Sequence, residues 1–270
     1  MGKSMVGKVV LITGASSGIG AALAREVARR GARPVLAARR LERVEALARD
    51  LREAGGQALA VACDVTRDGE VERAAAQIRE ELGGIDAVVA NAGFAIFGRI
   101  DELTLEDHRR QLETNVFGVL RTIHATLDDL KRSRGCLALL GSVSSYMSTP
   151  MTGSYAMSKA AVRALADTLR AELSGDGVAV LHVAPGFVES EIRKVDNQGG
   201  LDAAKGDPIP GWLLMPSPAA ARQIADAIAA RRGEEVLTRH GKLAISLARH
   251  APWLLAAAMG AASRRRGRAR

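Results

Sequence analysis

Short apolar runs alternate with longer amphipathic stretches along most of the chain. The runs are apolar at nearly every position, whereas the stretches between them repeat apolar residues every three or four positions, as in segment 21–31. Strands that are apolar on both faces are typical of a parallel sheet covered by helices on both sides. The pattern therefore predicts one α/β unit, a Rossmann-like, doubly wound parallel sheet with right-handed crossovers and helices on both faces. The predicted strands span residues 8–13, 32–38, 58–63, 86–91, 136–141 and 178–184.

The alternation stops between Ser190 and Pro218, a stretch with four glycines and four prolines. A loop this long inside a compact domain is usually functional or disordered. Ligands of open α/β sheets bind beyond the carboxyl ends of the strands, so we expect residues 190–218 to cover the substrate. A helix over 218–231 and a short strand over 235–238 follow. Together with the sheet, these segments predict a single domain over residues 1–240.

The positive charge of the chain is concentrated at its end. The 270 residues have a formal net charge of +8, and five arginines between positions 264 and 270 leave only +3 for the rest. A basic tail can contact nucleic acid or anionic lipid, but the nearly balanced body does not favour nucleic acid. We expect residues 241–270 to form a helical extension that packs against the body or a second subunit, followed by a basic tail that forms a solvated, disordered end. Peripheral contact with a membrane is the alternative.

Cysteine usage and the N-terminal pattern bear on the compartment. Cys63 and Cys136 allow at most one disulfide, and both lie in apolar runs, which indicates buried, reduced thiols. The first apolar run leads directly into a glycine loop, so it resembles a strand more than an export signal. No apolar run reaches the roughly 18 residues of a spanning helix. The sequence predicts a cytoplasmic protein, and no cluster of histidines and cysteines indicates a metal.

A glycine-rich loop joins the first predicted strand to the first helix. Gly14, Gly18 and Gly20 let the backbone turn sharply and approach a ligand closely. The N–H groups at the start of the helix attract negative charge. Such loops often contain glycine for turn geometry alone. The position of this one after the first strand nevertheless favours a dinucleotide site, with the pyrophosphate at the start of the helix.

The G-x-x-x-G-x-G spacing, followed by Asn91-Ala92-Gly93 after the fourth strand, resembles the classical short-chain dehydrogenase/reductase family. The resemblance extends over about residues 7–190. It implies that the glycine loop lines the pyrophosphate of a nicotinamide coenzyme, that Asp64 contacts the adenine, and that Asn91 stiffens the central sheet. The coenzyme-binding residues implied for this half of the chain are Gly14, Ser16, Ser17, Gly18, Ile19, Gly20, Asp64, Val65, Asn91, Ala92 and Gly93.

The end of the second strand bears on the choice between NAD and NADP. An acidic residue there would accept hydrogen bonds from the ribose 2′-hydroxyl of NAD and repel a 2′-phosphate. This chain has Ala38, followed by Arg39 and Arg40. The missing acid and the added cations favour NADP (NADPH) over NAD, with Arg39 placed for a charge-assisted contact to the phosphate. The alternative is that these arginines begin the solvated face of the next helix.

Tyr155 and Lys159 are four residues apart, which places them on one face of a helix. A nearby cation favours the phenolate, so we expect Lys159 to make Tyr155 a usable proton donor or acceptor. The pair alone is common in helices, but Ser142 lies thirteen residues before Tyr155, as in the family that the chain resembles. The resemblance implies that Ser142 orients the substrate oxygen and that Lys159 also holds the nicotinamide ribose. It further implies that Asn115 anchors a water in a proton relay.

Residues 185–190, after the sixth strand, resemble the family segment that grips the nicotinamide carboxamide. Ser190 replaces the more usual threonine and keeps the hydroxyl. Gly141 stands where many members have a serine, which we expect to alter packing more than chemistry. The coenzyme-binding residues implied for the second half of the chain are Tyr155, Lys159, Pro185, Gly186, Val188 and Ser190.

These motifs predict an NADP(H)-dependent oxidoreductase that transfers a hydride between nicotinamide and a carbonyl or secondary alcohol, with Tyr155 as acid or base. The resemblance also implies a homo-oligomer. The alternatives are a non-catalytic NADP-binding sensor or membrane-associated module, and an epimerase or dehydratase of related type. Few charges lie among the residues expected at the mouth of the site, so we expect an apolar or bulky substrate. These residues are Phe94, Ile96, Phe97, Tyr146, Met147, Met151, Phe187, Trp212, Leu213, Leu214 and Met215.

Overall fold

The structure is a computed structural model that describes residues 5–197, 200 and 206–254. Its strands form one parallel sheet in the order β3-β2-β1-β4-β5-β6-β7. The six strands predicted from the apolar runs are confirmed, each end within one residue of its expected bound. The seventh, predicted over 235–238, lies at 234–236. The strands are β1 Val9–Thr13, β2 Arg33–Ala38, β3 Leu59–Ala62, β4 Ala87–Ala90, β5 Cys136–Leu140, β6 Ala179–Ala184 and β7 Glu234–Val236.

Helices cover both faces of the sheet, which confirms the doubly wound α/β architecture. The alternation of side chains along a strand sends Val10 and Ile12 to one face and Val9 and Leu11 to the other. The first face packs against α1, α2 and α7, and the second against α3, α5 and α6. The helices are α1 Gly18–Arg29, α2 Leu41–Glu53, α3 Glu70–Leu82, α4 Leu105–Leu112, α5 Gly118–Ser133, α6 Gly153–Glu172, α7 Ser217–Ala229 and α8 Arg239–His250.

The strand order reverses at β1, which pairs with β2 on one side and with β4 on the other. The chain leaves β1 toward β2 and later returns to β4, so the loops after β1 and β4 diverge. This divergence opens a crevice at the carboxyl ends of the strands, where open α/β sheets bind their ligands. The glycine loop and the Asn91–Gly93 segment form the two sides of the crevice. The fold therefore gathers the predicted motifs at one edge of the sheet.

The described parts of the predicted substrate loop run beside the crevice. Two short 3-10 turns, Glu191–Arg193 and Gly211–Leu213, lie within it. Its two ends are held together by a parallel bridge between Val188 and Met215. Residues 198–199 and 201–205 of this loop lie outside the described residues.

The C-terminal helix α8 crosses the expected domain boundary at residue 240. The Thr238 hydroxyl caps it by accepting a hydrogen bond from Gly241 N (3.1 Å). Ile245 is buried, whereas Leu243 and Trp253 are exposed. Residues 255–270, with the arginine cluster, lie outside the described residues. None of the described helices is both long and apolar enough to cross a bilayer.

Both cysteines are buried and unpaired, as predicted. Cys63 directly follows β3, and Cys136 begins β5. Burial raises the pKa of each thiol to about 12.

Candidate active site

The glycine loop occupies the turn between β1 and α1. Gly14 has φ +67°, and a Cβ on it would lie 2.8 Å from Ala92 Cα. A Cβ on Gly20 would lie 2.5 Å from the carbonyl oxygen of Gly14. With any larger residue at position 20, α1 could not pack so closely on the loop. Ser17 is the N-cap of α1, but its side chain makes no capping hydrogen bond, and the first turn of α1 has no acidic residue. The N-terminus of α1 is therefore suited to an anion such as a pyrophosphate.

Asn91 braces the glycine loop from the end of β4. Its Nδ2 donates to the carbonyl oxygens of Thr13 (2.9 Å) and Gly14 (3.2 Å). The Thr13 hydroxyl accepts in return from the backbone N–H groups of Asn91 (3.0 Å) and Ala92 (3.1 Å). These bonds give a physical basis for the predicted stiffening by Asn91. The role of Thr13 was not predicted, because its partners are nearly eighty residues away in the chain.

Two adjoining cavities lie along the carboxyl edge of the sheet and share Ile19, Asn91, Gly93 and Ser190 in their walls, so together they form one cleft with an outer and an inner part. Its outer part lies over the glycine loop and the ends of β2 and β3, and its inner part lies over the ends of β5 and β6. The predicted coenzyme residues that line the outer part are Gly14, Ser16, Ser17, Gly18, Ile19, Arg39, Arg40, Asp64, Val65, Asn91, Ala92, Gly93 and Ser190. The predicted residues that line the inner part are Ile19, Asn91, Gly93, Ser142, Tyr155, Lys159, Pro185, Gly186, Val188 and Ser190.

The cleft suits an elongated dinucleotide, because the anion-binding helix start lies between its two parts. In the outer part, the Asp64 carboxylate accepts hydrogen bonds from the Thr66 N–H (3.0 Å) and the Thr66 hydroxyl (2.8 Å). The turn after β3 therefore holds Asp64 at the cleft wall. Of the predicted coenzyme residues, Gly20 does not line the cleft; it lies behind the loop, where it lets α1 approach.

The two arginines after β2 behave differently. Arg39 is exposed, lines the outer part of the cleft and makes no ion pair with a described residue. Arg40 turns back toward the glycine loop and donates to Ser16 Oγ (2.9 Å) and Ser17 Oγ (3.2 Å). It also pairs with Glu191 (3.0 Å). The alternative reading, in which both arginines only begin a solvated face, does not hold for Arg40.

Ser142 lies at the carboxyl end of β5, where it begins a 3-10 turn over Val143–Ser145. Its hydroxyl accepts from Ser144 N (3.0 Å), and its own N–H donates to Ser145 Oγ (3.2 Å). Ser144 and Ser145 thus shape the turn that presents Ser142. Ser142 lies close enough to the Tyr155 phenol to lower its pKa.

Tyr155 and Lys159 share the face of α6 that looks into the inner part of the cleft. The Lys159 ammonium lies 5.8 Å from the centre of the Tyr155 ring and donates to the carbonyl oxygen of Leu140 (2.7 Å). Burial raises the pKa of Tyr155, and the lowering effects of Ser142 and Arg193 do not offset it. Burial also lowers the pKa of Lys159 to about 8. Desolvation, which penalises both charged forms, thus outweighs the lowering of the tyrosine pKa that was expected from the lysine.

Asn115 is buried in a π-helical turn, Glu113–Phe117, between α4 and α5. Its Oδ1 accepts from Phe94 N (3.1 Å), and its Nδ2 donates to the Phe94 carbonyl (3.0 Å) and to Ser158 Oγ (3.0 Å). The side chain thereby ties the loop after β4 to α6. A Cβ on Gly93 would lie 3.0 Å from Asn115 Oδ1 and 3.6 Å from Lys159 Nζ, so these predicted site residues lie together.

The segment after β6 closes the inner part of the cleft. The Pro185 carbonyl accepts from Val143 N (2.9 Å), which links this segment to the Ser142 turn. Gly186 packs so closely on Thr238 and His240 that a Cβ would overlap them. At its end, Ser190 lies beside the glycine loop, where a Cβ on Gly18 would be 3.2 Å from Ser190 Cβ. The helix α8 therefore supports the site, although the resemblance in sequence does not extend to it.

Two of the residues expected at the substrate mouth lie elsewhere in the structure. Ile96 is fully buried in the core. The Tyr146 hydroxyl is hydrogen-bonded to His182 Nδ1 (3.2 Å) and donates to Glu234, and its ring lies against Arg163 (4.2 Å). Both had been assigned from sequence position alone, which does not show where a side chain points. Phe97, Met151, Phe187 and Trp212 are exposed, but they do not line either part of the cleft.

Comparisons with known proteins agree with this geometry. The family model described as short chain dehydrogenase matches residues 8–200. An 11-beta-hydroxysteroid dehydrogenase A of Sesamum indicum is 37% identical over 194 residues, which are 71% of this chain and 56% of that protein. The chain thus spans about half the length of this curated relative, and the same holds for two 11-beta-hydroxysteroid dehydrogenases of Arabidopsis thaliana, at 55%.

Solved structures show the same fold over most of the chain. An alcohol dehydrogenase of the archaeon Thermococcus sibiricus, complexed with 5-hydroxy-NADP, has a TM-score of 0.75 and 33% identity and covers 85% of this chain and 95% of its own. A short chain dehydrogenase/reductase of Burkholderia phymatum, in complex with NAD, has a TM-score of 0.81 and 26% identity and covers 90% and 93%. Because the family model matches residues 8–200, which are most of the chain, the chain belongs to the short-chain dehydrogenase family.

Proposed function

We propose that the protein is an NADP(H)-dependent oxidoreductase that interconverts a carbonyl and a secondary alcohol. One observation carries the proposal. Ser142, Tyr155 and Lys159 line the inner part of the cleft, whose outer part lies over the glycine loop. The start of α1 and the residues around it fit the phosphates of a dinucleotide, and Pro185, Gly186 and Val188 would hold its nicotinamide end.

The chain's own residues support proton transfer at the inner end of the cleft. When bound, the nicotinamide coenzyme would donate or accept the hydride. Tyr155, whose pKa is raised by burial, carries its proton at neutral pH and can donate it to a substrate carbonyl oxygen. Ser142, which lines the same part of the cleft as Tyr155, would orient the same oxygen. Lys159 is buried beside them, where its ammonium would stabilise negative charge on the phenol oxygen after transfer.

The preference for NADP rests on the end of β2. Ala38 offers no carboxylate to a ribose 2′-hydroxyl, and the exposed Arg39 has no acidic partner among the described residues. A 2′-phosphate placed there would gain a charge-assisted hydrogen bond from Arg39. The neighbours named above were solved with either NADP or NAD derivatives, so the assignment depends on these residues of the chain itself.

The substrate class follows from the mouth of the site and from the relatives. Phe187, about two-fifths exposed, stands between Gly186 and Val188, which line the inner part of the cleft, and Met151 and Trp212 are exposed as well. Hydroxysteroid dehydrogenases are among the similar proteins. We infer that the substrate is an apolar or bulky ketone or alcohol. The homo-oligomeric state stays a prediction from the resemblance, and the cytoplasmic location stays a prediction from the cysteine usage and the N-terminal pattern.

The test is the consumption of NADPH, and separately of NADH, with ketones and aldehydes from small aliphatic to steroid-sized. We expect higher kcat/KM with NADPH and with larger apolar ketones. Tyr155→Phe should lower kcat about a hundredfold or more, because it removes the proton donor while coenzyme binding persists.

Tyr146→Phe is the matched control, since the chain has two tyrosines and Tyr146 faces His182 and not the cleft. It should keep kcat within a few fold. Turnover that survives in Tyr155→Phe would refute the catalytic assignment. Bound NADPH without turnover of any compound would instead favour the coenzyme-binding module.

A further inference from the structure

A carboxylate sits between two arginines at the outer part of the cleft. Glu191 Oε2 lies 3.0 Å from Arg40 Nη2, and Oε1 lies 2.9 Å from Arg43 Nη1. Glu191 itself lines the cleft and begins the short turn after Ser190. Burial would raise the pKa of Glu191, but the hydrogen bonds from Arg43 and Arg40 outweigh it, so its pKa is lowered. The group is therefore ionised at neutral pH.

The same Arg40 guanidinium also reaches the glycine loop. Its Nη2 is within hydrogen-bond distance of Ser16 Oγ, Ser17 Oγ and Glu191. Three acceptors therefore share the hydrogens of one nitrogen. Arg39, the neighbouring cation, makes no ion pair with a described residue. Glu191 thus pairs with both Arg40 and Arg43 and offsets one of their two positive charges, whereas Arg39 has no acidic partner in the described part of the chain.

A phosphate bound at this edge of the cleft would meet the carboxylate as a like charge. It would also compete with Glu191 for the hydrogen atoms of Arg40, since carboxylate and phosphate use the same guanidinium donors. A coenzyme without a 2′-phosphate neither meets this repulsion nor competes with Glu191 for Arg40. The Glu191 carboxylate therefore weakens the binding of NADPH more than the binding of NADH.

We propose that Glu191 is a specificity-determining residue, which occupies Arg40 in the free protein and must release it when a 2′-phosphate binds. The inference rests on the proposed function, because it assumes a nicotinamide dinucleotide in this cleft. Its consequence is that Glu191 selectively weakens the binding of the phosphorylated coenzyme. The chain would thereby prefer NADPH by less than its arginines alone would allow.

The test measures equilibrium binding, not turnover. Kd values for NADPH, NADH, 2′,5′-ADP and 5′-AMP are determined by titration calorimetry for the wild-type chain and for Glu191→Gln, which removes the charge and keeps the shape. We expect Glu191→Gln to bind NADPH and 2′,5′-ADP about three to ten times more tightly, as for a partly exposed ion pair that no longer competes. The Kd values for NADH and 5′-AMP should change less than twofold.

Glu189→Gln is the matched control. Glu189 is exposed two residues earlier, and its carboxylate contacts the Ser217 N–H (3.4 Å) and no described arginine. Equal tightening by Glu189→Gln would show a general effect of charge and overturn the inference. So would equal tightening for NADPH and NADH, or no tightening at all in Glu191→Gln.

The failure of the proposed function has a separate signature. A wild-type chain that binds neither coenzyme would refute the proposed function, and the inference with it. A wild-type chain that binds and oxidises NADPH, with a Glu191→Gln variant that binds it no better, would overturn the inference alone. Thermal unfolding of both variants checks that each is folded at the temperature of the titration.

Discussion

At the scale of single residues, there is a steric reason for the glycine at position 141, directly after β5. A Cβ on Gly141 would overlap the Nε2 atom of His182, and it would lie 2.8 Å from Cε1. His182 is 1% exposed in β6, and burial lowers its pKa to about 4, so it is neutral at neutral pH. The histidine occupies the space that a serine side chain would need. The departure from the family pattern at Gly141 is therefore a matter of packing, as the sequence suggested.

Gly141→Ala should lower the free energy of unfolding by about 1–3 kcal/mol, because the added methyl group overpacks a filled site. Urea unfolding measures the change. His182→Ala removes the obstacle, so the double variant Gly141→Ala/His182→Ala should lose less stability than the sum of the single changes. Strict additivity of the two losses would contradict the steric explanation.

At the scale of elements, the π-helical turn between α4 and α5 connects three parts of the site. Its five residues, Glu113–Phe117, place Asn115 where its side chain reaches both Phe94 and Ser158. A π turn widens the helix and frees backbone groups, which is why such turns are common at functional sites. The turn thus aligns the loop after β4 with the helix that carries Tyr155.

Asn115→Leu keeps the size of the side chain but leaves the N–H group of Phe94 without its acceptor. We expect a loss of about 1–3 kcal/mol in the free energy of unfolding, the usual cost of an unsatisfied buried polar group. The measurement is again urea unfolding. Phe117→Leu, on the exposed side of the same turn, serves as control and should change stability by no more than about 0.5 kcal/mol. Equal effects of the two substitutions would argue against the bridging role of Asn115.

At the scale of the whole molecule, the sheet is covered on both faces and encloses two thiols. Cys136 lies in β5, between β4 and β6, whereas Cys63 follows the edge strand β3. Both thiols have a pKa of about 12 because burial disfavours the thiolate. Reaction of Cys136 with a thiol reagent therefore requires opening of the structure, whereas Cys63 also lines the outer part of the cleft.

We expect the folded chain to react slowly with a thiol reagent at pH 8, and the rate to rise with urea as unfolding becomes populated. A Cys63→Ser variant isolates Cys136, and a Cys136→Ser variant isolates Cys63. The Cys136 thiol should follow global unfolding, while the thiol beside the edge strand should react at lower urea. Immediate labelling of Cys136 in the absence of urea would disprove the predicted protection.

Much of the architecture could be predicted from the pattern of the chain. Continuous apolar runs predict strands covered on both faces, and this local signal located six of the seven strands of the parallel sheet to within one residue. The glycine loop also carries a local signal, since Gly14 and Gly18 have positive φ values that glycine adopts without strain. The candidate site residues could be named from their spacing because each motif follows a particular strand.

Contacts between distant segments could not be predicted in this way. The ion pair of Arg40 with Glu191 joins residues 151 positions apart, and no pattern in either segment indicates it. The same holds for Thr13 with Asn91 and for Gly141 with His182. The raised pKa of Tyr155 also depends on burial, which the spacing to Lys159 does not show. Periodicity and motif order thus account for the strands, helices and loops, whereas the charges, protonation states and close contacts of the site arise only when the folded chain brings distant side chains together and excludes water from them.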